Sequence, residues 1–274
     1  MTPSPSLPAT TMREMSTSDQ ALTGPATTTA AAADIAHRQQ PAAKLEATPL
    51  EYAHGTGIGP FTAVLWDLDG TIADSAPGIT TAIAKMLDTF GLPVPSHDEL
   101  LSYVGPPILD SFRRNGLDDA VELEHAMEMY RDYYREEGEG QTILFPGMAE
   151  LIRAVHAAGI PQSTATSKPE PSARRILEKF GLDVELEFIT GATEDESRSA
   201  KADVVAEALR RLGEAGHDLS NVLMIGDRFY DVQGSAVHGV PSCYVTWGYG
   251  ELGEERGASY VATSPTELRH ILGL

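Results

Sequence analysis

The sequence predicts an α/β protein, a parallel sheet with helices on both faces, interrupted by an all-helical insert. Three observations carry that reading. From Phe145 onward, short apolar runs alternate with segments of helical period, the pattern of strand-crossover-strand units. Between about residues 77 and 142 the pattern is helical, with no strand signal, as in an inserted domain. The apolar run Val64-Leu65-Trp66 ends in Asp67 and Asp69, at the carboxyl edge where open α/β sheets place ligands.

Residues 1 to about 58 are rich in Thr, Ala, Pro and Ser and poor in large apolar residues. Such a segment cannot offset its ordering entropy by burial. We read it as a disordered tail without a catalytic role, with Met12 and Met15 as alternative starts. It lacks the apolar stretch after basic residues that a secretory signal requires. Val64-Leu65-Trp66 then reads as a strand buried on both faces. If strand geometry persists, Asp67 and Asp69 point to one side, where they repel each other unless a metal, a proton or a cation intervenes.

Asp74 or Ser75 can cap the next helix, with Pro77 in its first turn. Ile79, Ile83, Met86, Leu87 and Phe90 form its apolar face and Gly91 stops it. Ser96 and Glu99 make a capping box for a short second helix. Ile108, Leu109 and Phe112 suggest a third, and a fourth runs from Asp118 to Glu137. Tyr130, Tyr133 and Tyr134 on that helix read as core residues. Next come a helix through Met148 and Val155, a strand from Ile160 to Thr166 weakened by Gln162 and Ser163, and a helix through Ala173 and Phe180. Phe188-Ile189-Thr190 reads as a strand, Val204 to Leu212 as a helical face and Val222 to Ile225 as an apolar strand. A helix through Val232, the short strands Cys243-Tyr244-Val245 and Tyr260-Val261, and a helix capped by Ser264 close the chain. The domain plan is a tail over 1–58, a core over 59–76 and 143–274, and a helical cap over 77–142.

Composition narrows the function. Of the 274 residues 42% are hydrophobic and the formal net charge is -20, so there is a substantial core but no basic field for nucleic acid or an anionic membrane. The single cysteine, Cys243, forms no disulfide within the chain and fits a reducing, cytoplasmic setting. No stretch approaches the roughly 20 apolar residues of a membrane span. The eight histidines show no ligand spacing.

Three further segments fall at the same sheet edge as Asp67: Thr164-Ala165-Thr166-Ser167-Lys168, Lys201 at a helix start, and Ile225-Gly226-Asp227-Arg228-Phe229-Tyr230-Asp231. Carboxylates, hydroxyls and a lysine together suit phosphoryl transfer. A carboxylate can attack phosphorus and split one hard hydrolysis into two easier steps. The anionic phosphate needs a divalent cation and a lysine to approach Asp67. Oxygen ligands from Asp67, Asp69 and Asp227 point to Mg²⁺, and a second acid must serve the leaving alkoxide and the water. Lys168 and Arg228 stand open between substrate contact and surface solvation.

Asp67-Leu68-Asp69-Gly70-Thr71, Thr166, Lys201 and Gly226-Asp227 with Asp231 resemble, in order, the four motifs of the haloacid dehalogenase-like hydrolase superfamily. The match runs from about residue 61 to the C-terminus. The resemblance implies a Rossmann-like core with a helical cap over small substrates. It makes Asp67 the nucleophile and a Mg²⁺ ligand, and Asp69 the acid/base whose backbone carbonyl also reaches the metal. Thr166, with Ser167 beside it, binds phosphate, Lys201 neutralises nucleophile and phosphate, and Asp227 and Asp231 complete the metal site. The Tyr103-Val104-Gly105-Pro106-Pro107 loop, Thr166-Ser167-Lys168-Pro169 and Gly226-Asp227-Arg228 look like phosphoglycolate phosphatase-like members, which hydrolyse small phosphomonoesters. Trp66 stands where phenylalanine is more usual, a difference of packing. Asp69 argues against dehalogenase chemistry, and the lack of a cap lysine between Lys85 and Lys168 argues against a Schiff-base mechanism. The alternatives are a phosphosugar mutase with the same catalytic groups and a non-catalytic, ligand-sensing relative.

Overall fold

The computed structural model describes residues 61–114, 116–117 and 119–274; the tail reading over 1–58 and the helix start at Asp118 lie outside them. Strand β1 (Ala63–Trp66) runs into a turn and a short β2 (Ala73–Asp74). Four helices follow: α1 (Ala76–Thr89), α2 (His97–Leu101), α3 (Ile108–Arg114) and α4 (Ala120–Tyr133). A π-helical turn (Tyr134–Gly138) and α5 (Glu139–Gln141) lead back to β3 (Ile143–Leu144). Alternation then begins with α6 (Met148–Ala157), β4 (Gln162–Thr164), β5 (Thr166–Pro169), α7 (Glu170–Lys179) and β6 (Gly191–Ala192). It continues through α8 (Lys201–Glu214), β7 (Val222–Gly226), α9 (Phe229–Ala236), β8 (Ser242–Val245), β9 (Tyr260–Ala262) and α10 (Pro265–Ile271).

The main sheet is parallel, in the order β4-β1-β7-β8-β9. Strands β4, β1, β7 and β8 are buried on both faces, as helix-covered parallel strands must be, and β9 at the edge is partly buried. Val64, Trp66, Leu223 and Ile225 pack with Ile152, Ile176 and Leu177 on one face. Ala63, Leu65, Val222 and Met224 pack with Val204, Ala208 and Leu212 on the other. The helical insert holds a third cluster around Ile83, Met86, Phe112, Met127 and Tyr130. The chain leaves for the insert and returns through an antiparallel ribbon, with Ala73 opposite Leu144 and Asp74 opposite Ile143. Among the described residues no helix is long and apolar enough to cross a membrane.

Several elements differ from the pattern reading, each for a local reason. The strand expected over Ile160 to Thr166 divides at Ala165, where the chain turns from pairing with β1 to pairing with β6. Phe188-Ile189-Thr190 makes one bridge, Phe188 with Ser163, and the regular strand begins later, at Gly191. The fourth helix is capped by Asp119, whose carboxylate accepts from the amides of Val121 and Glu122 at 2.9 and 3.1 Å. The Ser96–Glu99 capping box forms as its spacing predicts. Ser75 occupies the N-cap position of α1, yet its side chain makes no cap. The Tyr249 hydroxyl accepts instead from the amides of Ser75 and Ala76, at 2.8 and 3.1 Å.

Gln162, which weakens the β4 pattern, is buried and fully engaged. Its Oε1 accepts from Trp66 Nε1 at 2.9 Å, and its Nε2 donates to the carbonyls of Ile152 and Glu185 at 3.0 and 3.2 Å. Leaving buried polar partners unsatisfied costs more than a hydrogen bond gains. Gln162→Leu is expected to lower stability by about 2–3 kcal/mol, read from the urea midpoint at unchanged slope. A shift below about 0.5 kcal/mol would show that this network carries no weight.

Candidate active site

The carboxyl ends of β1 and β4, the start of α8 and the first turn of α9 converge on one buried ammonium. Asp67 follows β1 directly and its amide donates to the Ile225 carbonyl of β7 at 2.8 Å, which fixes its backbone beside the neighbouring strand. Lys201, the first residue of α8, donates from Nζ to Asp67 Oδ1 at 2.8 Å and to the Ala165 carbonyl at 3.1 Å. The same Nζ stands 2.7 Å from Asp231 Oδ1. Asp227 follows β7; its Oδ1 accepts from Thr71 Oγ1 at 3.1 Å and its Oδ2 from the Tyr249 amide at 2.7 Å. Asp231 lies in the first turn of α9, where its Oδ2 accepts from the Arg228 amide at 3.0 Å. It is thus both a helix cap and a partner of Lys201.

Asp67, Asp227 and Asp231 present carboxylate oxygens within 4.8 Å of one another, and all three are buried. One ammonium facing three desolvated carboxylates leaves a deficit of positive charge. Burial, with the Asp231 charge, pushes the Asp67 carboxyl up to about 6 against the opposing pull of Lys201. Burial and the charges of Asp67 and Asp231 push Asp227 well above the carboxylate range. Burial works against the Lys201 ammonium, yet Asp231 and Asp67 outweigh it and hold it above its ordinary value. The donor set fits a hard divalent cation, since buried carboxylates that repel one another are stabilised by one. The backbone leaves room around it. A Cβ on Gly70, which has φ +89°, or on Gly248 would fall 2.2 Å from Asp227 Oδ2.

Asp69 stands apart from this group. β1 ends at Trp66 and the chain turns at Gly70, so strand geometry does not persist and the two acids acquire different partners. Asp69 Oδ1 accepts from Ser75 Oγ at 2.5 Å, and Oδ2 from Lys168 Nζ at 2.8 Å. Its carboxylate is therefore not part of the Asp67, Asp227 and Asp231 group. Lys168 is buried and also lies 4.6 Å from the Tyr134 ring centroid. Burial disfavours its ammonium, but Asp69 outweighs this and raises it well above its usual range.

Thr166 is buried, with Oγ1 accepting from the Lys168 amide at 3.2 Å. Ser167 Oγ is buried without a hydrogen-bond partner among the described residues. Ser167, Lys168 and Asp69 line a cavity whose other walls include Tyr103, Tyr130 and Tyr134 from the helical insert. Tyr130 and Tyr134 are thus core residues that also face the cavity. Arg228 is buried too: it pairs with Glu254, Nε to Oε2 at 2.9 Å, and donates to the Val104 carbonyl. Surface solvation is excluded for both Lys168 and Arg228. The run of hydroxyls and a lysine after β4 signalled Lys168. Nothing in the sequence marked Ser75 or Tyr249 as partners of the acids.

A family model described as haloacid dehalogenase-like hydrolase matches residues 64–245. The chain is 40% identical over 215 residues to the tyrosine-protein kinase PtkA of Mycobacterium tuberculosis, covering 77% of this chain and 72% of that one. It is 34% identical over 194 residues to a 5'-nucleotidase of Pseudomonas aeruginosa, covering 70% and 86%. Among solved structures, a predicted phosphatase from Clostridium acetobutylicum superposes with a TM-score of 0.73 at 35% identity, covering 79% of this chain and all of that one. With its parallel sheet and its acids gathered at one edge, the chain belongs to the haloacid dehalogenase-like hydrolase family and is a phosphoric monoester hydrolase.

Proposed function

We propose that the protein is a Mg²⁺-dependent phosphatase that hydrolyses a small phosphomonoester through an aspartyl-phosphate on Asp67. The observation that carries this is the position of Asp67, paired with Lys201 at 2.8 Å and grouped with Asp227 and Asp231. Asp67, Asp227, Asp231 and the backbone carbonyl of Asp69 would hold the ion. Bound there, Mg²⁺ supplies positive charge that offsets the repulsion between the acids and the entering phosphate.

An oxygen of Asp67 attacks phosphorus while the bond to the leaving oxygen breaks, and Asp69 delivers its proton to that oxygen. In the second step Asp69 takes a proton from water, whose oxygen bonds phosphorus as the bond to Asp67 breaks. Lys201 and the hydroxyls of Thr166 and Ser167 hold the remaining phosphate oxygens, whose charge grows as the phosphoryl group transfers. Ser75 and Lys168 fix Asp69 in place, since each binds one of its oxygens. The helices over residues 77–142 act as a cap that closes the cavity and excludes water.

Asp67→Asn removes the nucleophile but keeps its shape, so phosphate release should fall by about 10³-fold or more with far-UV circular dichroism unchanged. An active variant would overturn the covalent step. Chelation with EDTA should silence phosphate release and Mg²⁺ should restore it, whereas activity persisting under chelator would remove the metal from the reading. Asp69→Asn should cost about 10²- to 10⁴-fold with alkyl phosphates and less with p-nitrophenyl phosphate, whose leaving group needs no proton. Equal losses on both would show that Asp69 is not the acid.

A further inference from the structure

The cavity above Asp69 has walls that the reaction chemistry does not require. Ile79, Tyr103, Pro106, Ile108, Tyr130 and Tyr134 give it a largely apolar and aromatic surface. Tyr130 and Tyr134 stack with ring centroids 5.9 Å apart. Arg131, Arg135 and Arg175 also reach it, yet each already has a carboxylate. Glu139 binds Arg175 at 2.6 and 2.9 Å, Glu196 binds Arg131 at 2.9 Å, and Asp132 lies 3.3 Å from the solvent-exposed Arg135. Lys168 is taken by Asp69. Among the described residues, the cavity keeps no uncommitted buried cation for a second anionic group on the substrate.

Glu196 is placed there against local preference. It is the only non-glycine residue with positive φ among those described, at 58°, a conformation that a glutamate rarely adopts. A small loop holds it: the Glu196 amide donates to the Thr193 carbonyl at 3.1 Å, and the Thr193 amide to the Arg198 carbonyl at 3.1 Å. The Glu196 side chain is 11% exposed, against 32% for Arg131, so the pair sits largely inside the wall. A second charge brought in by a substrate would have to compete with Glu196, Glu139 or Asp132 for a cation or stay unpaired, and of the three Glu196 holds the least exposed arginine.

We propose that the cavity selects phosphomonoesters of an alcohol carrying an uncharged aromatic ring, and that Glu196 enforces this by occupying Arg131. The inference rests on the phosphatase reading above and narrows its substrate class. The ring would pack edge-to-face against Tyr130 and Tyr134, whose faces are engaged with each other and with Lys168. An acidic ester such as 2-phosphoglycolate finds no cation for its carboxylate, and is the class that Glu196 turns away.

The test compares kcat/KM for benzyl phosphate, 5'-AMP and 2-phosphoglycolate, all of which release an alkoxide, with the full chain and Mg²⁺. At least one aromatic ester should exceed 2-phosphoglycolate by about tenfold, the effect of one charge-assisted contact. Benzyl phosphate in the lead identifies a compact ring, and 5'-AMP in the lead identifies a nucleoside. In Glu196→Gln, the ratio of 2-phosphoglycolate to benzyl phosphate should rise by about tenfold as Arg131 is freed. Ile108→Arg, which adds a cation to the wall without touching the loop, should move the ratio the same way. A wild-type preference for 2-phosphoglycolate, or a ratio that neither variant moves, overturns the proposal and leaves the phosphatase reading standing. Phosphate release from none of the three esters overturns both.

Discussion

One buried ammonium, that of Lys201, holds the carboxyl edge of the sheet together. It joins Asp67 after β1, Asp231 on α9 and the Ala165 carbonyl after β4. Four elements distant in sequence thus meet on a single charge. Taking a lysine and two carboxylates out of water is expensive, and apolar packing would serve stability as well or better. The arrangement therefore makes sense as positioning. It sets Asp67 beside Asp227 with its orientation fixed before any substrate arrives, which is what pre-organised electrostatics requires.

Asp69 answers to a different anchor. Although it is two residues from Asp67, the turn at Gly70 and the pairing with Lys168 and Ser75 give it an environment of its own. Two carboxylates with separate partners can carry separate roles, one attacking and one moving protons. Lys168 also ties Asp69 to the helical insert, because its ammonium lies over the Tyr134 ring. Asp69 and the cavity wall are therefore tied to the same side chain.

Much of this was legible in the sequence, and the exceptions have physical reasons. The apolar strands Val64–Trp66 and Val222–Ile225, the helix starting at Lys201 and the cap at Ser264 follow from period and capping chemistry, all local signals. The order of acids, hydroxyl and lysine along the chain pointed to one edge because parallel sheets align their carboxyl ends. What the sequence hid was long-range satisfaction of polar groups. Gln162 looked wrong for a buried strand, since its partners Trp66, Ile152 and Glu185 are scattered along the chain. Ser75 looked like a cap, but its hydroxyl serves Asp69 while a tyrosine 174 residues away covers its amide. Lys168 and Arg228 stood open between substrate contact and surface solvation, because their carboxylate partners Asp69 and Glu254 lie far away in sequence.

Tyr249 shows how such contacts couple the site to the helical insert. Its amide fixes Asp227 Oδ2 at 2.7 Å, while its hydroxyl accepts from the amides at the start of α1 and donates to Asp74 Oδ1 at 2.7 Å. Asp74 belongs to the ribbon through which the chain enters the insert and opposes Ile143 on the way back. One residue therefore touches both Asp227 and the ribbon that leads into the helical insert. A movement of the insert that tilts α1 must either break the contacts of this hydroxyl or carry Tyr249, and with it the partner of Asp227. The placement of α1 and the alignment of Asp227 are in this way linked through one residue. The link runs through backbone amides as well as side chains, which is why no residue pattern announced it.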